Sequence, residues 1–166
     1  MTPGLLAPST STGVPSGSDS ESQPFVEVNG ASLNATFLES ELFGHERGAF
    51  TDARQAKRGL FEVAGRGTLF LDEVGELASE VQPKLLKVLE DRVFRRLGGT
   101  AELRSEARVL AATNQPLADR VREGAFRADL YYRLHVIELA MPSLREMRED
   151  IPGIANAILA KLTRSG

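Results

Sequence analysis

The stretch Gly67-Thr68-Leu69-Phe70-Leu71-Asp72-Glu73 decides the fold. Thr68 to Leu71 is a short continuous run without polar alternation, set off by Gly65 and Gly67, which is the pattern of a strand covered on both faces. Strands of that kind belong to mainly parallel sheets layered with helices. Such sheets present their ligands at the carboxyl edge, where this run ends in Asp72 and Glu73. Outward from it, Phe25 to Asn29 and Ala107 to Ala112 read as further strands, and Val136 to Leu139 as another before Pro142. Val93 to Leu97 reads as a strand before the Gly98-Gly99 turn. Between them fall helices: Leu33 to Phe43 ending at Gly44, Arg58 to Ala64, a helix through Val81, Leu85, Leu86 and Leu89, a mostly helical stretch from Leu117 to Leu134, and a last helix from Ile151. Ser79 and Gln82 have the spacing of a capping box. This alternation predicts an α/β domain with a mainly parallel sheet.

The 166 residues, 42% of them hydrophobic, suffice for one ordinary domain core. A net charge of -3 argues against bulk attraction to nucleic acid, and with no Cys there is neither a disulfide framework nor a thiolate metal site. No signal-peptide pattern or membrane-length apolar run occurs, so the expected location is the cytoplasm. Met1 to Pro24 holds four prolines and six serines with no aromatic or basic residue. It buries too little surface to offset the entropy of ordering, and a disordered tail or linker is expected over 1–24.

Several residues are candidates for chemistry, each with a bland alternative. Asp72 can hold Mg²⁺ while Glu73 polarises a water beside a γ-phosphate, or the pair is an exposed acidic turn. Thr113 and Asn114 place a hydroxyl and an amide at the same sheet edge, or form an Asn-Gln-Pro turn. Asn29 ends another strand and reads either way. Arg127 and Arg133, six apart and so about 120° around a helix, share no face unless the helix ends between them. They are solvated arginines or charges supplied to a neighbour's nucleotide. Gly48-Ala49-Phe50-Thr51-Asp52-Ala53 carries one aromatic among small residues, which either joins the core or meets a partner. His45 has no second His near it in sequence to suggest a metal pair.

Together these residues resemble the central AAA+ domain of sigma-54-dependent transcription activators, the bacterial enhancer-binding proteins, from about Phe25 to Ile158. The family's GAFTGA loop stands here as GAFTDA at Gly48 to Ala53, after ESELFGHE at Glu39 to Glu46. The Walker B strand matches Gly67 to Glu73, the first sensor Thr113-Asn114, and FRADLYYRL spans Phe126 to Leu134. The resemblance implies a P-loop NTPase (AAA+) type parallel sheet flanked by helices, with a core over 25–142 and the start of a helical lid over 143–166. It implies ATP and Mg²⁺ as cofactors, and a hexamer that remodels the sigma-54 RNA polymerase closed complex. Asp72 then binds Mg²⁺, Glu73 activates water under restraint from Asn29, and Asn114 with Thr113 forms the sensor. Arg127 and Arg133 act in trans, and the Gly48–Ala53 loop touches sigma-54.

This sequence departs from the family at two places. The 166 residues contain no Gly-rich phosphate loop with its Lys, and Asp52 replaces the usual Gly beside the contact Phe. The expectation drawn is a truncated domain lacking the Walker A strand, most of the lid and any DNA-binding domain. A second expectation is a non-catalytic interaction module or remnant that binds activator subunits or sigma-54 without hydrolysing ATP. A metal-dependent hydrolase on Asp72-Glu73 would need ligands that the spacing does not supply.

Overall fold

A computed structural model describes residues 23–31 and 34–164. The tail expected over 1–24 thus lies, Gln23 and Pro24 apart, outside the described residues, as does Leu33. The described residues form two units, one closing at Leu134 and one beginning at His135.

In the first unit the sheet-forming runs β1 (Phe25–Asn29), β4 (Thr68–Asp72) and β7 (Arg108–Ala111) pair in parallel in the order β1-β4-β7. Register sets Asn29 against Asp72, and Leu71 against Ala111. One face carries Val26, Val28, Leu69, Leu71 and Val109, all buried or half-buried. The covering of both faces expected for β4 is only partly met. The opposite face holds Phe70 stacked on Phe25 at 6.0 Å, and Leu110 on that face is exposed.

Helix α1 (Ala35–Phe43) starts where the Asn34 side chain accepts the Phe37 N–H at 2.8 Å, satisfying one of the orphan amides of the first turn. It ends at Gly44, whose φ of 77° suits glycine. A Cβ there would lie 2.5 Å from the Lys57 carbonyl oxygen. Only a glycine lets the two-residue strands β2 (Gly44–His45) and β3 (Lys57–Arg58) approach so closely. Helix α2 (Leu60–Ala64) follows, and α3 (Val81–Asp91) buries Val81, Leu85, Val88 and Leu89. Fully burying each such side chain is worth about 1.5–3 kcal/mol. Phe43, Phe61 and Phe94 stack within this core, with the first two rings 5.8 Å apart.

Several expected elements differ. The capping box is absent: Ser79 Oγ bonds the Glu80 carboxylate, Glu80 is the N-cap, and Gln82 turns inward. The strand expected over Val93 to Leu97 shrinks to β5 (Val93–Phe94), paired with β6 (Leu103–Arg104). Leu97 is instead drawn to β2, its N–H donating to the Gly44 carbonyl at 3.0 Å. The stretch Leu117 to Leu134 divides into α4 (Leu117–Arg122) and α5 (Ala128–Leu134), broken at Gly124 with φ 73°.

In the second unit Val136 to Leu139 is not a strand. Val136, Ile137 and Leu139 are exposed, with no ladder partner among the described residues. Apolar β-formers without a neighbouring strand gain nothing from extended pairing. Helix α6 (Ile151–Arg164) forms as expected.

Candidate functional site at the strand ends and the contact loop

Parallel register carries the polar strand tips to one end of the sheet. Asn29 Nδ2 donates to Asp72 Oδ2 at 3.2 Å, while Asn29 Oδ1 accepts the Ala31 N–H at 2.8 Å. Asp72 Oδ1 accepts the Glu73 N–H at 3.0 Å. The backbone continues the convergence: Gly30 N–H donates to the Asp72 carbonyl at 2.8 Å and Val74 N–H to the Ala112 carbonyl at 2.9 Å. Glu73 turns the chain out of β4 in the left-handed region, φ 52° and ψ 46°, and its Oε2 accepts the Asn114 N–H at 3.3 Å. Thr113 Oγ1 accepts the Gln115 N–H at 3.1 Å. Asn29, Asp72, Glu73, Thr113 and Asn114 thus gather as one group, all half-buried except the exposed Asn114.

The donor set is small. No group of three metal-ligating side chains occurs among the described residues. Asp72 lies at a strand end with its two oxygens oriented by Asn29 and the Glu73 amide. That suits Mg²⁺ held by one carboxylate, with water and phosphate oxygens completing its shell.

Arg127 and Arg133 stand outside this group. Arg127 precedes α5 and Arg133 lies in its last turn. Arg127 forks onto Asp129, Nε to Oδ1 at 3.0 Å and Nη2 to Oδ2 at 2.7 Å. That hydrogen bond holds the exposed Asp129 carboxyl below its usual range. Arg133 donates through Nη2 at 2.8 Å and Nε at 3.2 Å to the Leu89 carbonyl at the end of α3.

The Gly48–Ala53 segment is a pinned loop between β2 and β3. Gly48 N–H donates to the Ala53 carbonyl at 2.7 Å, Ala53 N–H to the Phe50 carbonyl at 2.9 Å, and Ala49 N–H to the Glu46 carbonyl at 3.2 Å. Thr51 and Asp52 are exposed, Ala53 is buried and Phe50 is half-buried. The Phe50 ring meets His45 edge-on at 4.9 Å. The core reading of Phe50 is not met, since its half-buried ring rests on the loop base outside the core cluster.

His45 is part of that base. Its Nε2 lies 2.9 Å from the Gln55 carbonyl and so donates, which leaves Nδ1 to accept from Ser40 Oγ at 2.7 Å in the neutral ring. Two further residues also brace the site, Arg96, which the sequence left without a role, and Gln82, which its spacing had placed in a capping box. Arg96 reaches Glu46 at 3.0 Å and forks onto Glu62. Gln82 has all its amide atoms engaged in the interior. A signal for Gln82 existed, because it stands three and seven residues before Leu85 and Leu89, on their buried stripe.

Residues 10–140 match the sigma-54 interaction domain family. The chain belongs to that family. It is 52% identical over 138 residues to the Nif-specific regulatory protein of Herbaspirillum seropedicae, which covers 83% of this chain and 26% of that protein. It is also 52% identical over 140 residues to the regulatory protein AtoC of Escherichia coli, covering 84% of this chain and 30% of AtoC. Among solved structures, NtrX from Brucella abortus superposes with TM-score 0.76 at 38% identity, over 87% of this chain and 32% of that one. NtrX in complex with ATP gives TM-score 0.74 over 87% and 30%. The chain thus spans about a quarter to a third of the length of these relatives. Its sheet and flanking helices are of the AAA+ P-loop NTPase type, and no described helix is long and apolar enough to cross a membrane.

Proposed function

We propose that this sigma-54 interaction domain links a nucleotide held at the strand ends to a sigma-54 contact made by the Gly48–Ala53 loop, as part of a cytoplasmic transcription activator. The gathering of Asn29, Asp72, Glu73, Thr113 and Asn114 at one end of a parallel sheet carries the reading. In it Asp72 holds Mg²⁺ of a bound ATP, and Glu73 orients the attacking water, with Asn29 and Asn114 fixing the two carboxylates. Thr113 and Asn114 report the γ-phosphate to the rest of the domain. Arg127 and Arg133 supply positive charge to the nucleotide of the adjacent subunit in a hexameric ring. Phe50 engages sigma-54 in the RNA polymerase holoenzyme. The ATP complex of NtrX supports the nucleotide. The 166 residues hold no GxxxxGK stretch, so this reading requires the phosphate clamp to come from outside them.

That same observation favours a second reading, in which the chain binds sigma-54 or activator subunits without hydrolysing ATP. Retention of the purified chain on immobilised sigma-54, with and without Mg·ATP, tests both. Retention lost in Phe50→Ala, together with ATP turnover, supports the first; equal retention without turnover selects the second. No retention in any nucleotide state overturns both.

A further inference from the structure

Gln82 is an amide in the core, 1% exposed, on the buried side of α3. Burying an amide is costly unless every polar atom finds a partner. Here Nε2 donates to the Leu77 carbonyl at 2.9 Å and to the Ala125 carbonyl at 3.0 Å. Its Oε1 accepts the backbone N–H of Arg127 at 2.9 Å. One side chain thereby joins three places: the turn that follows Glu73, the first turn of α3, and the segment Ala125–Arg127 around the buried Phe126. The far end of α3 repeats the device with the partners exchanged, because the Leu89 carbonyl there accepts from Arg133. Gln82 to Leu89 is seven residues, about 10.5 Å of helix, and Arg127 to Arg133 is six, about 9 Å. Helices α3 and α5 therefore run in the same direction, tied at both ends, with α3 as the common ruler.

We infer that Gln82 is a positioning residue for Arg127, fixing the backbone from which this guanidinium reaches a neighbouring subunit. The inference rests on the reading of Arg127 as a group acting in trans. The Arg127 side chain is exposed and its fork onto Asp129 is local, so the placement of its head follows the placement of its backbone. The Gln82 bond is the long-range contact that fixes the Arg127 amide, and it starts from a helix whose opposite side is core.

Amide exchange followed by NMR on the whole chain tests the geometry, with Gln82→Met and Gln82→Glu. The methionine fills the same volume without hydrogen bonds, whereas glutamate keeps an oxygen for the Arg127 N–H. Exchange at Arg127 is expected to rise about tenfold in Gln82→Met, with Leu85 and Leu130 unchanged, and to return toward the original rate in Gln82→Glu. Unchanged exchange at Arg127 in folded Gln82→Met, against the original chain, overturns the inference. Should Gln82→Met not fold, protection retained at Arg127 in Gln82→Glu while the Ala125 segment loosens supports it, and loss of protection there overturns it. ATP turnover by the chain assembled with a complete activator adds the functional arm: Gln82→Met should lower kcat with KM unchanged, the same direction expected of Arg127→Ala. If Arg127→Ala leaves turnover intact, the trans-arginine reading falls and the exchange result still decides the role of Gln82.

Discussion

Arg96 closes a fork on Glu62, with Nε 2.9 Å from Oε1 and Nη2 2.7 Å from Oε2, while its Nη1 reaches Glu46 at 3.0 Å. One planar cation thus ties α2, the chain after β5 and the entry to the Gly48–Ala53 loop, a task for which the flexible ammonium of lysine is poorly shaped. The Glu62 side chain is 13% exposed, so the pair is shielded from most of the screening that weakens surface pairs.

Arg96→Ala is therefore expected to cost about 2 kcal/mol of stability in urea denaturation near neutral pH. The pH dependence has a definite sign. The Arg96 hydrogen bond holds the Glu62 carboxyl below its ordinary 4.5, against the opposing effect of burial and with help from the Gly59 amide. A carboxylate depressed in the folded state stabilises above its unfolded value and loses that contribution as pH falls through the folded value. The gap between the original protein and Glu62→Gln should be full above about pH 5 and shrink below pH 4. A gap that widens with acid would refute the assignment.

His45 and Ser40 form a buried pair at the root of the loop, with Ser40 3% and His45 8% exposed. His45→Ala should cost about 2–3 kcal/mol, because the Ser40 hydroxyl is left inside without its partner and Phe50 loses the ring it rests on. Ser40→Ala added to His45→Ala should restore part of that loss. A double-mutant cycle by thermal denaturation is expected to give a coupling of about 1 kcal/mol. Additive effects would show that the two side chains do not depend on each other.

Gly98 sits in the turn that backs the contact loop, at φ 71°, where a Cβ would lie 2.9 Å from the Ala49 Cβ. Gly98→Ala thus meets two penalties, a left-handed backbone and a collision with the loop, together about 1–3 kcal/mol. Adding Ala49→Gly removes the closest contact, and leaves the residue 49 Cα at 3.1 Å together with the backbone penalty. The double variant should therefore recover part of the stability, and sigma-54 retention should recover with it. Full recovery, or none, would contradict this division.

What could be read from sequence followed from how local each cause was. The strand Thr68–Asp72 and the buried stripe of α3 were legible because their apolar spacing answers directly to the sheet and the helix that bury them. The gathering of Asn29, Asp72 and Asn114 was legible once the strands were taken as parallel, since parallel ends share one edge. Gln82 was misassigned because cap spacing is a local pattern, whereas its partners Ala125 and Arg127 lie 43 and 45 residues away. Val93 to Leu97 failed for the same reason, as the Gly44 carbonyl that draws Leu97 off lies far up the chain. Val136 to Leu139 had strand composition without a strand beside it, and composition alone does not provide the hydrogen-bonding neighbour. The arginines were half legible. Their spacing was readable, but the start of α5 after Arg127 was not.

Glu73 offers the most discriminating test of whether the strand ends serve chemistry. Two non-glycine residues hold positive φ among the described residues, Glu73 at 52° and Arg92 at 59°. Arg92 has a structural reason, since it caps α3 and its Nη1 bonds the Ala107 carbonyl at 2.9 Å. For Glu73 the side chain's contact is the 3.3 Å bond from the Asn114 amide, too weak to account for an L-residue where glycine sits without strain. The left-handed backbone costs about 1 kcal/mol, and glycine gives back part of that relief through its greater freedom when unfolded. Glu73→Gly is therefore expected to leave stability unchanged or raise it by up to about 1 kcal/mol, while removing the carboxylate proposed to orient water. Arg92→Gly, which severs a bond to the backbone, should not stabilise. Denaturation of both variants beside ATP turnover would check this: a Glu73→Gly chain that is markedly less stable would show that the carboxylate is retained for the fold, and the case for its catalytic role would lose its physical basis.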